Sequence, residues 1–237
     1  KPEYEIVDGI GRRQYCSQSV IVAKDGSLIW YNDAGRIYCY ENAANMEPGI
    51  FRDTKNHWAK DQIALLAGED ILNGTGDGYF SPETKVTRSQ FVQMLSKFSG
   101  EDCSAYTTDE FADVGSGDWY APAVAWAVEH GITTGSGNGL FSPNAPITRQ
   151  DMAVMLQRYV EKVAKEELPQ ENAILEFTDA SSIAVYAKDA VAAMQTAGII
   201  NGISDGGSYR FAPEAQATRA QAASMIAGLY HVLYGQD

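Results

Sequence analysis

The chain has 237 residues, 45% of them apolar, and a formal net charge of −13 at pH 7. This length and composition can form one substantial core or several small ones. The negative charge argues against a nucleic-acid-binding protein and against a protein of anionic membranes, because both need a basic surface.

The first fifty residues contain short β-branched and aromatic runs separated by the turn sequences "KDG" and "NDAG". This pattern predicts strands at residues 20–23, 28–31 and 36–40, arranged as a hairpin or meander. Three strands without a partner sheet are marginally stable. We therefore expect residues 1–46 either to pack on the rest of the chain or to be the remnant of an upstream domain. The segment weakly resembles a strand repeat of quinoprotein-like β-propellers.

From residue 51 onward the sequence repeats itself three times. The three units begin at "FRDTKNHWAK", "FADVGSGDWY" and "FTDASSIAVY" and end in "VTRSQFVQML", "ITRQDMAVML" and "ATRAQAASMI". The arginines of these last segments stand at positions 88, 149 and 219, and the phenylalanines at 80, 141 and 211 have the same two spacings. We assign the repeats to residues 51–100, 111–163 and 177–234, with polar connectors between them.

Each repeat has the same internal order, namely a first helix, a glycine-rich turn and a second helix. The second helix has an apolar stripe with i, i+3, i+4, i+7 spacing, which predicts a buried helix face. The stripe consists of Phe91, Met94, Leu95 and Phe98 in the first repeat, Met152, Met155, Leu156 and Tyr159 in the second, and Ala222, Met225, Ile226 and Leu229 in the third. Three equivalent stripes predict that the second helices meet at a common centre.

The start of each second helix has the pattern of a capping box. Thr87, Thr148 and Thr218 are the N-cap candidates, and Gln90, Asp151 and Gln221 follow three residues later. In such a box the hydroxyl and the amide or carboxyl group accept hydrogen bonds from otherwise unpaired backbone N–H groups.

An arginine follows each of these threonines, although a helix N-terminus favours anions and disfavours a cation by about 0.3–1 kcal/mol. One explanation is that the arginine pairs with a nearby carboxylate, such as Asp53 or Asp113, and fixes one repeat against the next. The other is that it faces a ligand anion, beside free backbone N–H groups and a glycine-rich turn that permits close approach. The residues alone leave both explanations open.

The order of these motifs resembles the S-layer homology domain family, over about residues 51–230. The resemblance rests on the tryptophan before the first helix, the "GI" of the turn, the "FSP" step and the final "ITR", because several of these motifs occur in this order in each of the three copies. It implies a mainly α fold, in which three helix-turn-helix repeats form a pseudo-threefold assembly around a central three-helix bundle, preceded here by the short N-terminal β-hairpin or meander. It also implies an extracellular module at the bacterial cell surface that tethers a protein without covalent linkage.

The resemblance implies a partner as well. Grooves between the repeats of this family bind a secondary cell-wall polymer, commonly a glycan whose terminal N-acetylmannosamine carries a pyruvate ketal. Transferred to this chain, the ligand-binding residues are carboxylate anchors (Arg88, Arg149, Arg219), aromatic platforms (Trp58, Trp119), turn glycines where a side chain would collide with the sugar (Gly74, Gly135, Gly202) and aspartates that could accept sugar hydroxyls or serve a structural role (Asp53, Asp113).

The chain departs from the family pattern at several positions, among them Asp70 in the first repeat, where the other repeats have Gly131 and Gly198. The motif usually ends in glutamate, but here it ends in Gln90, Asp151 and Gln221. The third repeat has Tyr186 in place of the tryptophan and a longer turn. We therefore expect unequal grooves, with those that contain Trp58 or Trp119 better suited to the ligand.

Other kinds of site have little support in the sequence. The "NGTGDG" turn resembles the front half of a calcium loop, but Thr84 stands where the bidentate glutamate is required, so we expect no metal. Cys16 and Cys39 could pair across neighbouring strands, although free thiols are our expectation, and Cys103 stands alone. No nucleophile elbow, phosphate loop or Cys–His spacing is present, so we expect neither a cofactor nor enzymatic activity.

The sequence leaves one alternative function open. The repeats could be a structural or assembly module of a surface protein whose enzymatic or ligand-binding domain lies upstream. The chain begins at Lys1 without a signal peptide and within a strand pattern, which we interpret as the start of a mature or shortened piece. No apolar run approaches the roughly 20 residues of a membrane span, so we expect no membrane insertion. We expect a monomer.

Overall fold

The computed structural model describes residues 51–170, 172 and 176–235, together with the backbone of four short strands nearer the N-terminus. These strands are β1 (Glu5–Ile6), β2 (Ile21–Val22), β3 (Leu28–Tyr31) and β4 (Ile37–Tyr40), and they pair antiparallel in chain order. The meander confirms the three predicted strands as β2 to β4, whereas the short β1 was not predicted. The side chains of Cys16 and Cys39 lie outside the described residues, so their pairing stays a prediction.

Two α-helices form in each repeat, as predicted. They are α1 (Lys60–Gly68) and α2 (Arg88–Ser99), α3 (Ala121–Glu129) and α4 (Arg149–Tyr159), and α5 (Lys188–Thr196) and α6 (Arg219–Tyr234). A π-helical turn, Val160–Ala164, follows α4, and two 3-10 turns, Ala180–Ser182 and Val185–Ala187, precede α5. The longer turn of the third repeat forms a hairpin of β5 (Ile203–Asp205) and β6 (Ser208–Arg210), which the sequence had indicated only as a turn.

Each repeat packs its first helix against the second helix of the preceding repeat. Helix α3 packs on α2, α5 packs on α4, and α1 closes the ring by packing on α6. The predicted apolar stripes of α2, α4 and α6 are all buried in one continuous core, together with the apolar positions of the first helices. Burial of these stripes is what drives the repeats to associate.

The second helices form the central bundle that the sequence predicts. At their N-terminal ends, three buried residues close a ring of backbone hydrogen bonds, in which Val86 N–H donates to Ala217 O (3.0 Å), Ile147 N–H to Val86 O (3.0 Å) and Ala217 N–H to Ile147 O (2.9 Å). Near their C-terminal ends, the Phe98 ring lies 5.2 Å from that of Tyr159 and 5.9 Å from that of Tyr234. Contacts at both ends make α2, α4 and α6 a parallel bundle.

The described parts of both connectors contain buried or hydrogen-bonded side chains. In the first connector the Glu101 carboxylate accepts hydrogen bonds from the Trp126 indole N–H (2.8 Å) and from the Tyr106 hydroxyl. These bonds lower the pKa of Glu101 and raise that of Tyr106 to about 12. The π-helical turn Val160–Ala164 leads from α4 into the second connector, and its first residue, Val160, is buried in the core.

None of the helices in the described part of the chain has the length and apolarity that crossing a bilayer requires.

Candidate functional site

In the described part of the chain, three equivalent grooves lie between the repeats, and each is built from all three repeats in the same way. One repeat supplies its glycine-rich turn and one face of its second helix. The repeat before it in the ring supplies an arginine, and the repeat after it supplies an aromatic side chain. We name each groove by its arginine.

The grooves have the following linings. The Arg149 groove, of about 430 Å³, is lined by Trp58, Arg149, residues 199–203, Gln221, Ser224 and Met225. The Arg88 groove, of about 400 Å³, is lined by Arg88, residues 132–136, Asp151, Val154, Met155, Arg158 and Tyr186. The Arg219 groove, of about 210 Å³, is lined by Ile71, Asn73, Gly74, Gln90, Gln93, Met94, Lys97, Trp119 and Arg219.

The three arginines cross from their own repeat to the next one. Each Nε donates a hydrogen bond to a phenylalanine carbonyl of that repeat, Arg88 to Phe141 (2.9 Å), Arg149 to Phe211 (2.7 Å) and Arg219 to Phe80 (2.9 Å). Each guanidinium also lies over the ring of the same phenylalanine, 4.4–5.1 Å from its centroid, in a cation–π contact. The arginines therefore hold the repeats together in addition to lining the grooves.

The helix starts around these arginines are capped from two directions. The threonine caps are confirmed, since Thr87, Thr148 and Thr218 each accept a hydrogen bond from the backbone N–H three residues on. The N–H groups of the first two helical residues donate to carbonyls of the neighbouring repeat. For example, Arg88 N–H donates to Ala145 O (2.9 Å) and Ser89 N–H to Pro143 O (3.1 Å). The idea that free N–H groups here help to hold an anion is therefore wrong, because these groups are already bonded.

The aspartates at the start of the repeats organise the turn that the arginines bind. Both carboxylate oxygens of Asp53 accept backbone N–H groups, from Phe80 (2.9 Å) and Ser81 (2.7 Å). Asp113 and Asp179 bind the equivalent amides of the second and third repeats. Neither Asp53 nor Asp113 lines a groove, so the structure places both in the structural role that the sequence left open.

The three turn glycines line the grooves, but an added side chain there would first collide with atoms of the glycine's own repeat. A Cβ atom at Gly135 would lie 2.5 Å from Leu140 O and 2.5 Å from Cε1 of Phe111, and its φ of +84° disfavours a side chain. Gly74 and Gly202 face the equivalent phenylalanines at 2.7 and 2.6 Å. A side chain at these positions would meet the repeat's own aromatic ring, whether or not a ligand is present.

Each groove has one large and highly exposed aromatic side chain. Trp58 is 60% exposed, Trp119 62% and Tyr186 60%, although large aromatic side chains usually lie mostly buried. The arginines of the same grooves are only 6–7% exposed. Each groove thus combines a fixed, buried cation with an accessible aromatic face.

The surroundings of the three arginines differ. Within the described residues, the Arg149 guanidinium makes its single hydrogen bond to Phe211, whereas the Arg219 Nη2 also donates to Asn73 O (2.7 Å). An Arg88 Nη1 nitrogen lies 3.7 Å from a carboxylate oxygen of Asp151. Burial lowers the pKa of all three guanidinium groups, and nearby carboxylates partly offset this effect. They remain cations at neutral pH, because an arginine starts from a very high pKa.

The described residues contain no group of three or more His, Cys, Asp or Glu side chains placed to hold a metal ion. Among them, Cys103 is a free thiol, and burial raises its pKa.

Comparison with known proteins identifies the family. The family profile described as "S-layer homology domain" matches residues 50–92, 110–153 and 176–223, which together make up more than half of the chain. The chain belongs to the S-layer homology domain family. This family is one of non-catalytic anchoring modules of the bacterial cell surface, so the chain is assigned to the outside of the cell.

Individual relatives carry the module within much longer proteins. The chain is 41% identical over 180 residues to an exoglucanase XynX of Acetivibrio thermocellus and covers 16% of its length. It is 38% identical over 180 residues to an amylopullulanase of Thermoanaerobacterium thermosulfurigenes and covers 9% of its length. It is 29% identical over 162 residues to the surface-layer 125 kDa protein of Lysinibacillus sphaericus and covers 13% of its length. These matches span 76%, 76% and 68% of the present chain.

The residues that the S-layer homology motif predicts as ligand-binding fall into two groups. The three arginines, both tryptophans and the three glycines come together in the grooves, one of each kind per groove except where Tyr186 replaces a tryptophan. The aspartates lie behind the turns instead. Lys97 and Arg158 also line two of the grooves, and the sequence did not predict this. The sequence alone does not show which face of a second helix lies next to the aromatic residue of another repeat.

Proposed function

We propose that this chain anchors its protein to the bacterial cell wall without a covalent bond, by binding the secondary cell-wall polymer in the Arg149 and Arg219 grooves. One observation carries the proposal. Among the described residues, these two grooves each combine a buried guanidinium with an exposed tryptophan and have no acidic residue in their lining.

The chemistry of these grooves fits an anionic sugar. A guanidinium forms strong charge-assisted hydrogen bonds with a carboxylate, and an indole face packs against the apolar face of a sugar ring. A terminal N-acetylmannosamine that carries a pyruvate ketal offers a carboxylate and a sugar ring in one unit. This fit supports the pyruvylated glycan as the ligand.

The number of grooves suits a tether. Two or more sites on one molecule that bind the same polymer raise the overall affinity well above that of one site, because the second binding step is intramolecular. The chain can thus hold a surface protein firmly although each groove is small and open.

The alternative function, a structural or assembly module, is supported by the arginines themselves. Each of them joins two repeats through a carbonyl and an aromatic ring. An arginine variant would therefore lose stability under either function and cannot separate the two. The tryptophans can separate them, because exposed side chains contribute little to folding.

The test replaces Trp58 and Trp119 by alanine, singly and together, and measures retention on purified cell wall. We expect each change to weaken binding to its own groove about tenfold or more, since loss of about 1.4 kcal/mol of aromatic burial corresponds to that factor. Melting temperatures should stay close to that of the parent. Chemical removal of the pyruvate ketal from the wall should abolish retention of the parent.

The control is Tyr79→Ala. Tyr79 is 45% exposed and belongs to the lining of none of the three grooves. This variant tests whether removal of any exposed aromatic side chain lowers retention on the cell wall. We expect it to leave retention unchanged. Full retention of the double tryptophan variant would refute wall binding in these grooves and would favour the assembly function.

We also propose that the chain itself catalyses no reaction. Two of the relatives bear the names of enzymes, and their matching region is a small part of each. Any catalysis by the protein that carries this chain is then a property of other regions.

A further inference from the structure

The Arg88 groove differs from the other two at the third residue of its helix. In α2 and α6 this residue is a glutamine, and its side chain reaches back to accept the N-cap N–H, at 3.1 Å for Gln90 and 3.0 Å for Gln221. In α4 it is Asp151, whose side chain is one methylene group shorter. The structure describes no such bond for Asp151, although the threonine cap itself is present.

The Asp151 carboxylate faces the groove instead. Its Oδ1 accepts a hydrogen bond from the Tyr186 hydroxyl (2.8 Å), and its Oδ2 lies 3.7 Å from Arg88 Nη1. Tyr186 stands where the other two grooves have a tryptophan. Burial and Asp151 raise the pKa of Tyr186 to about 12, so the hydroxyl keeps its proton at neutral pH.

We propose that Asp151 is a specificity-determining residue that serves as the internal anion of Arg88 and closes this groove to carboxylate-bearing glycans. This inference rests on the proposed function and deepens it, since it sets the number of anionic glycan ends that one chain holds at two.

The physical reason is competition for the same guanidinium. A ligand carboxylate that approached Arg88 would meet a fixed like charge and would have to displace the bond between Asp151 and Tyr186. The second cation of this groove, Arg158, is itself bonded to a backbone carbonyl, that of Ile132 (3.2 Å). The Arg149 and Arg219 grooves have glutamine at the equivalent place, so no acid competes with the ligand there.

The experiment measures binding stoichiometry by calorimetry with a synthetic disaccharide that ends in pyruvylated N-acetylmannosamine. The parent should bind two equivalents, and Asp151→Gln should bind three. The substituted glutamine occurs at the same position of the other two repeats, so the variant should fold with a complete capping box and an unchanged or higher melting temperature.

A second arm detects the new site in isolation. The Trp58→Ala, Trp119→Ala double variant should bind the disaccharide weakly. Addition of Asp151→Gln alone should raise its affinity about tenfold or more. Glu161→Gln, which makes the same charge change just after α4 outside the three grooves, should leave both the stoichiometry and the affinity of the parent unchanged.

The outcomes separate this inference from the function on which it rests. A parent that binds no disaccharide contradicts the proposed function. A parent that binds three equivalents shows that Asp151 does not close its groove. The parent could also bind two equivalents while Asp151→Gln gains no binding in either arm. That result would mean that some other feature closes the Arg88 groove, and it would overturn the inference.

Discussion

At the scale of single residues, the main question is why a cation follows each helix cap. The answer lies across the boundary between repeats. Each guanidinium donates to a phenylalanine carbonyl and covers the ring of the same phenylalanine. An aspartate fixes that phenylalanine by binding its N–H group. The helix N-terminus meanwhile receives its hydrogen-bond acceptors from the threonine and from the neighbouring backbone, which compensates for the missing anion.

Replacement of Arg219 tests this account. Arg219→Ala should lower the free energy of unfolding by about 3 kcal/mol, because it leaves the buried carbonyl of Phe80 and the partly buried carbonyl of Asn73 without their charged donor. Arg219→Lys should also destabilise the protein. A planar guanidinium can stack on the phenylalanine ring and donate hydrogen bonds in its own plane, whereas an ammonium group cannot do both. Urea denaturation measures both effects.

The control for that series is Arg210→Ala. The Arg210 side chain is 48% exposed, and its carboxylate partner Asp205 lies 4.0 Å away. Such a surface ion pair contributes about 0–1 kcal/mol, so the change should be small. Equal losses from Arg210→Ala and Arg219→Ala would contradict the role of Arg219 as a link between repeats.

At the scale of elements, the turn between the two helices is the most constrained part of each repeat. Its glycines are not equivalent. Gly135 has both a positive φ and a crowded Cβ position, whereas Gly137 has a φ of +103° with open space around it. The pair therefore separates steric crowding from backbone strain.

We expect Gly135→Ala to cost clearly more stability than Gly137→Ala. The second change adds only the strain of a positive φ, about 1–2 kcal/mol. The first adds to this strain a contact of 2.5 Å with Leu140 O, which the backbone can relieve only by moving the turn. Thermal unfolding of the two variants provides the comparison, and equal melting temperatures would mean that the turn yields easily to a side chain.

At the scale of the whole molecule, the three repeats form a closed ring, unlike an open array of repeats. The first helix α1 packs on the last helix α6, and the backbone ring of Val86, Ile147 and Ala217 joins all three repeats. In an open array each repeat contacts only its neighbours, so one end of the array can unfold while the other stays folded. A closed ring should lose all its grooves at once, since every groove needs residues from three repeats.

A core truncation in α1 tests this cooperativity. Leu66 is fully buried, and Leu66→Ala should cost about 2–5 kcal/mol. Hydrogen exchange of the amides in α4, a helix of another repeat, should speed up by the factor that this loss predicts. Val185→Ala, at a side chain that is 86% exposed, should leave exchange unchanged. Unaltered protection of α4 in Leu66→Ala would show that the repeats unfold separately.

Much of this protein follows from the sequence alone. The repeats, the helix starts, the threonine caps and the apolar stripes are local patterns, and the structure confirms them because burial and capping act over a few residues. The arginines, tryptophans and glycines of the grooves were also identified, through the family motif. The domain boundaries drawn from the sequence, at 51–100, 111–163 and 177–234, stay predictions.

Only the tertiary structure decided how these parts combine. Arg219 and Phe80 are 139 positions apart, and no local pattern states that one binds the other. The same holds for the aspartates behind the turns, for the occupied N–H groups of the helix starts and for the pairing of Asp151 with Tyr186. Helix periodicity fixes which face of a helix is buried, but closure of the ring determines which repeat that face meets, and the grooves exist only at those junctions.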